Sequence, residues 1–281
     1  MKKNIAFTAF FSVLVTALLT STAAWSQTPA LSPGDKYVSL GSSFAAGPGV
    51  DNQLGGCGRS DHNYAHLVAE ALSLDLTVAS CNGATIDNIL TTTQDSNPLQ
   101  IDAVSSDTDL VTVTIGGNDI RYTASTFACS GAPASDRCTE NLDQAAINAA
   151  VDQLPAKLTG MFDAIRAKAP QATIVLVAYP RVFPEDAVNC AELDLSEADT
   201  VYLAELGRKL EEAFVEATSN AQVLIADAYV QARGHGPCAA NASQRWVNGQ
   251  TIASSGIRYH PTAEGHEAMA QLVLEALGQG N

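Results

Sequence analysis

Two adjacent serines follow a short apolar run in the stretch YVSLGSSFAAGPG, residues 37–49. The run predicts a strand, and Ser42 and Ser43 stand where that strand ends and a helix begins. A serine at such a turn has an exposed hydroxyl near the positive end of a helix dipole, which favours negative charge developing nearby. One of these two serines is therefore a candidate nucleophile.

A nucleophilic serine needs a general base, and His260 is the candidate among the five histidines. In the stretch IRYHPTAEGH, His260 immediately precedes Pro261, a residue that can open a helix. His260 is therefore predicted to lie in a loop beside a helix N-terminus, as the serines do.

Acyl transfer also needs hydrogen-bond donors aimed at the oxyanion. In the segment GGND, residues 116–119, Asn118 presents a side-chain amide at the end of an apolar run. In the segment SCNGAT, Gly83 has no Cβ, so its N–H can approach a ligand closely. The nucleophile and the donors thus follow three different predicted strands.

Five apolar runs have the length of strands and are rich in Val, Ile and Leu without alternation. Such runs favour strands that are covered on both faces, which is the parallel-sheet case. The runs are Tyr37–Leu40, Leu76–Ala79, Leu110–Ile115, Thr173–Ala178 and Val223–Ala226.

Stretches with helical periodicity separate these runs, and the alternation predicts an α/β fold. We expect a three-layer α/β/α sandwich of about five parallel strands, with the site at their carboxyl ends. The predicted helices are one behind Ser60 as N-cap, Ala145–Lys168, Glu197–Thr218 and one from Pro261 to about Leu277. The segments Thr123–Asn141 and Arg181–Asp194 are predicted to be loops near the mouth of the site.

The four blocks of serine, glycine, asparagine and histidine, in this order, resemble the SGNH (GDSL-type) hydrolases. The resemblance covers nearly the whole chain after the leader and implies the flavodoxin-like SGNH hydrolase fold. It implies that Ser43 is the nucleophile and His260 the general base and then acid. It further implies an oxyanion hole made by the N–H groups of Ser43 and Gly83 and the amide of Asn118. The resemblance implies neither a metal nor another cofactor.

The first block departs from the family pattern, which usually reads Gly-Asp-Ser where this chain reads Gly41-Ser42-Ser43. Serine caps a helix about as well as aspartate, so Ser42 is expected to replace the local hydrogen bonds. Counting to Gly47, which the family block also carries, favours Ser43 over Ser42 as the nucleophile.

The histidine block departs as well, because the family commonly has aspartate three residues before the histidine and this chain has Ile257. In some relatives a main-chain carbonyl orients the histidine, which requires only a hydrogen-bond acceptor. We therefore expect the Ile257 carbonyl to orient His260 in a dyad. Asp227, at the end of the fifth strand, is the alternative, although a structural role is expected for it.

The remaining histidines have other expected roles. His62 and His66 have metal-compatible spacing, but no glutamate stands between them as in H-E-x-x-H, so both are predicted to lie on a helix surface. His235 is expected in a loop beside Cys238, and His266 on a helix that supports the loop of His260.

The N-terminus predicts export. Residues 1–26 have a basic start, an apolar stretch shorter than the roughly 20 residues of a membrane span, and small residues before a cleavage site. They are read as a signal peptide, followed by one SGNH hydrolase domain over residues 27–281 and no integral membrane segment. The protein is expected to be secreted or periplasmic.

Six cysteines without a C-x-x-C pair suit disulfides and an oxidising compartment. Their pattern is similar to a secreted esterase and lipase branch of the family. The simplest scheme joins neighbours along the chain: Cys57 with Cys81, Cys129 with Cys138, and Cys190 with Cys238.

The sequence predicts a secreted serine ester hydrolase acting on small-molecule or lipid esters through an acyl-enzyme. A carbohydrate deacetylase, an acyltransferase or a catalytically inactive binding protein of the same fold are the alternatives. The net charge of −15 disfavours nucleic acid as a partner. We expect a monomer.

Overall fold

One parallel sheet of five strands, in the order β2-β1-β3-β4-β5, forms the centre of the protein. The computed structural model describes residue 1 and residues 30–131, 137–219 and 221–280, so the predicted signal peptide lies outside the described residues except for Met1. Each strand begins and ends within one residue of its predicted position. The strands are Lys36–Gly41 (β1), Asp75–Val78 (β2), Leu110–Thr114 (β3), Thr173–Val177 (β4) and Leu224–Ala226 (β5).

Helices cover both faces of the sheet, which confirms the three-layer α/β/α sandwich. The α-helices are Ser43–Ala46 (α1), Tyr64–Leu72 (α2), Ile86–Leu90 (α3), Tyr122–Cys129 (α4), Gln144–Lys168 (α5), Glu197–Ser219 (α6), Ala228–Gln231 (α7) and Ala263–Ala276 (α8). Helices α5 and α6 pack on the face that carries Val38 and Leu40 of β1. Helices α2 and α8 pack on the opposite face, which carries Tyr37. Among the described residues, no helix is long and apolar enough to cross a membrane.

The edge strand β2 is an exception to the expectation of burial on both faces. Asp75 and Thr77 are exposed, whereas Leu76 and Val78 are partly buried. Since β2 pairs only with β1, one edge and part of one face remain open to solvent. The central strands β1, β3 and β4 are nearly continuous in their burial, as the apolar runs predict.

Two predicted helix starts are displaced toward the C-terminus. Helix α2 is capped by Asn63, whose side chain accepts a hydrogen bond from the N–H of His66, and not by Ser60. Helix α8 is capped by Thr262, which accepts from the N–H of Gly265, so Pro261 lies just before the cap. In both cases a better-placed side-chain oxygen satisfies the free N–H groups of the first turn.

The predicted loop Thr123–Asn141 was wrong in part, because helix α4 occupies its beginning and a 3₁₀ turn, Cys138–Asn141, its end. Residues 132–136 of this segment lie outside the described residues. The segment Arg181–Asp194 is irregular except for the 3₁₀ turn Ala191–Leu193.

The six cysteines form the three pairs expected from the sequence. The Cys57–Cys81 bond ties the segment before α2 to the turn that follows β2. The Cys129–Cys138 bond closes a short loop at the end of α4, and Cys190–Cys238 joins the loop after β4 to the segment after α7. All three disulfides therefore restrain segments between the strands, and the sheet itself is held by hydrophobic packing.

A buried acid in α6 interrupts this apolar packing. Glu211 is 8% exposed and lies beside the rings of Tyr122 and Tyr179. Neither of its carboxyl oxygens has a hydrogen-bond partner among the described residues. Burial, and secondarily the charge of Asp227, raises the pKa of Glu211 to about 8.

The raised pKa of Glu211 predicts a pH-dependent stability. Between about pH 4.5 and pH 8 the unfolded carboxyl releases its proton while the native one retains it, so the free energy of unfolding falls as pH rises. We expect Glu211→Gln to remove this fall and to stabilise the protein by roughly 4 kcal/mol at pH 9 but little at pH 4. Urea unfolding of both proteins across this range measures the difference. Glu212→Gln, at the exposed neighbouring residue, is the control and should not show this pH-dependent gain.

The disulfides should differ in their contribution to stability. The Cys190–Cys238 bond spans 48 residues of sequence and Cys129–Cys138 spans 9. Loop-closure entropy gives about 4 kcal/mol for the first and about 2.5 kcal/mol for the second. Replacing each pair with alanines should therefore lower the thermal midpoint more for Cys190 and Cys238. Equal midpoints for the two variants would contradict this order.

Candidate active site

Ser43 lies at the carboxyl end of β1 as the first residue of α1. The chain reaches it through Gly41, whose φ is +137° and where a Cβ would lie 2.4 Å from the Thr114 carbonyl oxygen. Only glycine fits this close approach. The side-chain amide of Gln100 accepts from the Gly41 N–H at 2.8 Å and donates to the Gly41 carbonyl at 2.9 Å. The backbone before the serines is thereby fixed from both sides.

The two serines face different partners. The Oγ of Ser43 lies 2.8 Å from Nε2 of His260, although 217 residues separate them in sequence. The Oγ of Ser42 lies 2.8 Å from the hydroxyl of Tyr179, in the interior. The expected cap is absent, because the Ser42 side chain makes no capping hydrogen bond to α1. Ser43, and not Ser42, is thus the serine that meets the histidine.

His260 is oriented by a main-chain carbonyl, but the predicted residue was wrong. Nδ1 of the ring lies 2.8 Å from the carbonyl oxygen of Arg258. The Ile257 carbonyl instead accepts from the backbone N–H of His260 at 3.3 Å and from the Asn248 side chain at 3.2 Å. Because Tyr259 adopts a left-handed φ of 56°, the chain turns back and the Arg258 carbonyl is the one beside the ring.

The alternative orienter, Asp227, does not contact His260. Its carboxylate caps the short helix α7 by accepting from the N–H of Val230 at 2.9 Å. This is the structural role expected for it.

The contacts of His260 fix its tautomer. A carbonyl oxygen only accepts, so Nδ1 carries the proton and donates to Arg258, which leaves the lone pair of Nε2 toward the Ser43 hydroxyl. The ring is 2% exposed and lies near the rings of Phe44 and Phe127, with centroids 4.9 and 6.1 Å away. Burial lowers the pKa of His260 to about 4, so the imidazole is neutral at pH 7 and able to accept a proton.

The three predicted oxyanion donors follow three neighbouring strands. Among the described residues, neither the N–H of Ser43 nor that of Gly83 has a protein acceptor. The amide of Asn118 donates one hydrogen to the Ala84 carbonyl at 2.9 Å, and its second hydrogen has no partner in the described part of the chain. All three groups are therefore available to a bound oxygen atom.

Asp119 is a neighbour of the site that sequence reasoning missed. Its side chain is 4% exposed, and both oxygens accept from the N–H of Ile86, each at 3.2 Å, at the start of α3. Burial raises the pKa of Asp119 to about 6, and Lys157 at 3.9 Å opposes that rise. The contact holds the turn that carries Gly83 against the segment that carries Asn118.

Tyr179 and Gln100 were missed as well. Tyr179 directly follows the apolar run of β4, so the rule that sites form at strand ends would have found it. Gln100 lies in a 3₁₀ turn far from any motif, and no signal in the sequence indicates its contact with Gly41.

None of the other four histidines hydrogen-bonds to Ser43 within the described residues. His266 lies on α8, as predicted, and is fully buried; its Nδ1 accepts from the N–H of Tyr64 at the start of α2, and its backbone N–H donates to the Thr262 carbonyl. His62 precedes α2 and pairs with Asp61, whereas His66 is partly buried against Asn63. His235 stacks on Trp246. Within the ranges that the structure describes, no three His, Cys, Asp or Glu residues form a metal-binding group.

The environment of His260 predicts an unusual titration in the free protein. We expect its ring to protonate with a midpoint near pH 4, because burial disfavours the imidazolium. Exposed His62 should protonate above its ordinary value of 6.5, because Asp61 stabilises the charged ring. Ring chemical shifts followed by NMR from pH 3 to pH 9 measure both, and His62→Gln and His260→Gln assign the signals. A midpoint near 6.5 for His260 would contradict burial as the dominant effect.

Several known proteins resemble this chain in sequence and in fold. Lipase 2 of Streptomyces coelicolor is 30% identical over 277 residues, which cover 92% of this chain and 92% of that protein. A lipase of Streptomyces rimosus is 30% identical and covers 82% of this chain and 81% of its own length. The crystal structure of phospholipase A1 from Streptomyces albidoflavus superposes with a TM-score of 0.69 at 25% identity, covering 88% of this chain and all of that one.

An extracellular lipase from Streptomyces rimosus, solved by crystallography, superposes with a TM-score of 0.66 at 25% identity and the same coverage. Residues 39–268, which contain Ser43, Gly83, Asn118 and His260, match the GDSL-like Lipase/Acylhydrolase family. The chain belongs to the GDSL-like lipase/acylhydrolase (SGNH hydrolase) family.

Proposed function

We propose that the protein is a carboxylic ester hydrolase that works through an acyl-enzyme on Ser43. The observation that carries the proposal is the 2.8 Å contact between Ser43 Oγ and the unprotonated Nε2 of a neutral His260. A serine hydroxyl next to a neutral, oriented imidazole is the arrangement that nucleophilic acyl transfer requires.

In the proposed reaction, Oγ of Ser43 attacks the ester carbonyl carbon while its proton passes to Nε2 of His260. The tetrahedral intermediate collapses when the imidazolium returns that proton to the departing alcohol oxygen. Water then attacks the acyl-enzyme with His260 as the base, and the carboxylic acid leaves as Ser43 recovers its proton.

Three donors would hold the negative oxygen of each tetrahedral intermediate. They are the N–H groups of Ser43 and Gly83 and the free hydrogen of the Asn118 amide, which come from the ends of β1, β2 and β3. Such donors are set before the reaction begins and therefore cost little reorganisation as the charge develops.

The residues form a dyad in this proposal, since the Arg258 carbonyl takes the place that a carboxylate occupies in a triad. The carbonyl holds the ring and its tautomer without adding a full negative charge. The pKa of His260 therefore stays low, and the base is present in its active neutral form well below pH 7.

We propose short- to medium-chain carboxylic esters or lipids as the substrates. Three related proteins are called lipase, esterase and phospholipase A1, and two aromatic rings, Phe44 and Phe127, lie beside the histidine. Three disulfides, the leader-like N-terminus and an extracellular relative support a place outside the cytoplasm, either secreted or periplasmic.

The two serines provide the sharpest test of this function. With p-nitrophenyl esters of increasing acyl length and EDTA present, Ser43→Ala should lower kcat/KM by at least about 10⁴-fold, because no nucleophile remains. Ser42→Ala should retain most of the turnover but lose about 1–3 kcal/mol of stability, since it removes a buried hydrogen bond of the Tyr179 hydroxyl.

Labelling by a serine-directed phosphonate is the independent measurement. Mass spectrometry should locate the adduct on Ser43 in the wild type and in Ser42→Ala, and find none in Ser43→Ala. Turnover that survives Ser43→Ala would overturn the assignment. Absence of both turnover and labelling in the folded wild type would favour a catalytically inactive binding protein.

A further inference from the structure

The turn that carries Gly83 has a central peptide with two possible orientations. Residues 81–84 form a β-turn in which the N–H of Ala84 donates to the Cys81 carbonyl at 3.1 Å. Gly83, the third residue, has a φ of +83°, as in a type II turn. Type I and type II turns differ by a half rotation of the central peptide, here the one between Asn82 and Gly83.

The direction of this peptide decides whether Gly83 can serve an oxyanion. The carbonyl of Asn82 and the N–H of Gly83 belong to the same planar trans peptide and point in opposite directions. If the peptide rotates to the type I orientation, the N–H turns to the other side of the turn. Glycine at position 83 permits either orientation.

Contacts at the ends of the turn do not select the orientation. The N–H of Asn82 donates to the Cys57 carbonyl at 2.9 Å, and the Ala84 carbonyl accepts from Asn118. The disulfide Cys57–Cys81 holds the first residue of the turn. These interactions restrain the flanking peptides and leave the central one free to rotate.

One side chain does hold the central peptide. Nε2 of Gln94 donates to the Asn82 carbonyl at 2.7 Å. The backbone of Gln94 is anchored by its bridge to Asn97, whose N–H donates to the Gln94 carbonyl at 2.9 Å. Within the described residues, Oε1 of Gln94 is buried without a partner, so the contact with Asn82 is the only hydrogen bond that this amide makes.

We propose that Gln94 is a positioning residue for the oxyanion hole: its amide holds the Asn82–Gly83 peptide in the orientation that points the Gly83 N–H at the oxyanion. The inference rests on the proposed function, because it assigns a role within that same site. Gln94 contacts no reacting atom and acts through the peptide. By donating to the carbonyl, it also polarises the peptide and strengthens the N–H as a donor.

Gln94→Met keeps the length of the side chain and removes the donor. An oxyanion donor acts on the transition state, and complete removal of one lowers kcat by about 10²–10³-fold. Gln94→Met leaves the Gly83 N–H present but free to rotate, so we expect kcat on p-nitrophenyl esters to fall about 10-fold with little change in KM. Thr93→Ala is the control, since this exposed neighbour makes no side-chain hydrogen bond among the described residues and should match the wild type.

Gln94→Glu tests the direction of the hydrogen bond. An ionised carboxylate repels the Asn82 carbonyl and attracts the Gly83 N–H, so it favours the rotated peptide. At pH 8 we expect a loss of about 100-fold, larger than that of Gln94→Met. A protonated carboxyl donates as the amide does, so the ratio of variant to wild-type kcat should rise as pH falls toward 5. The change of this ratio with pH does not depend on a constant difference in folding yield between the two proteins.

The Gly83 amide signal in NMR spectra of the free enzyme provides a readout that needs no turnover. It should be single in the wild type, and doubled or exchange-broadened in Gln94→Met. An active wild type whose two Gln94 variants keep kcat within twofold, with one unchanged Gly83 signal, would overturn the inference and leave the hydrolase intact. An inactive wild type whose Gly83 signal still responds to Gln94→Met would overturn the proposed function and retain the role of Gln94 in setting the peptide.

Discussion

The site depends on one constraint, which is that the parallel strands β2, β1 and β3 are neighbours in the sheet. In the order β2-β1-β3, the segment with Gly83 follows one outer strand, Ser43 follows the middle strand and Asn118 follows the other. Neighbouring strands lie about 4.8 Å apart, so groups at their carboxyl ends can converge on one small atom. Donors that followed neither β1 nor one of its two neighbours would lie too far from Ser43. The middle position of β1 therefore places Ser43 between the segments of the two other proposed donors, and the loop before α8 brings His260 to Ser43.

The strands and the contact between Ser43 and His260 were predictable because each has a local signature. Continuous apolar runs mark buried parallel strands, and glycine, serine and asparagine at their ends mark the turns that a site requires. Two of the errors concern choices between nearby hydrogen-bonding groups. Asn63 and not Ser60 caps α2, and the carbonyl of Arg258 and not of Ile257 meets His260. A shift of one to three residues decides such choices, and the sequence pattern does not carry that precision.

Other contacts depend on tertiary neighbours far away in sequence. Gln100 makes two hydrogen bonds to the backbone of Gly41, and the Tyr179 hydroxyl hydrogen-bonds to Ser42, 137 residues away in sequence. Ser42 stands where the family motif usually has aspartate, and it makes a neutral hydrogen bond to a phenol instead of a charged one. Burial raises the pKa of Tyr179 well above its ordinary value, so this partner also stays neutral. The interior behind the nucleophile is therefore uncharged at Ser42, Tyr179 and His260.

The orienting group of His260 is part of the main chain, and this has a consequence for how the site responds to mutation. Alanine scanning would not detect this orienting group, because every amino acid at position 258 presents the same carbonyl oxygen. The position of this carbonyl beside the His260 ring depends on the backbone conformation, in particular the left-handed conformation of Tyr259. The Arg258 side chain is exposed, donates to Gln250 and lies over the Phe127 ring, but it does not hold the imidazole. Substitution at this position therefore changes the charge and size of that side chain without removing the orienting carbonyl.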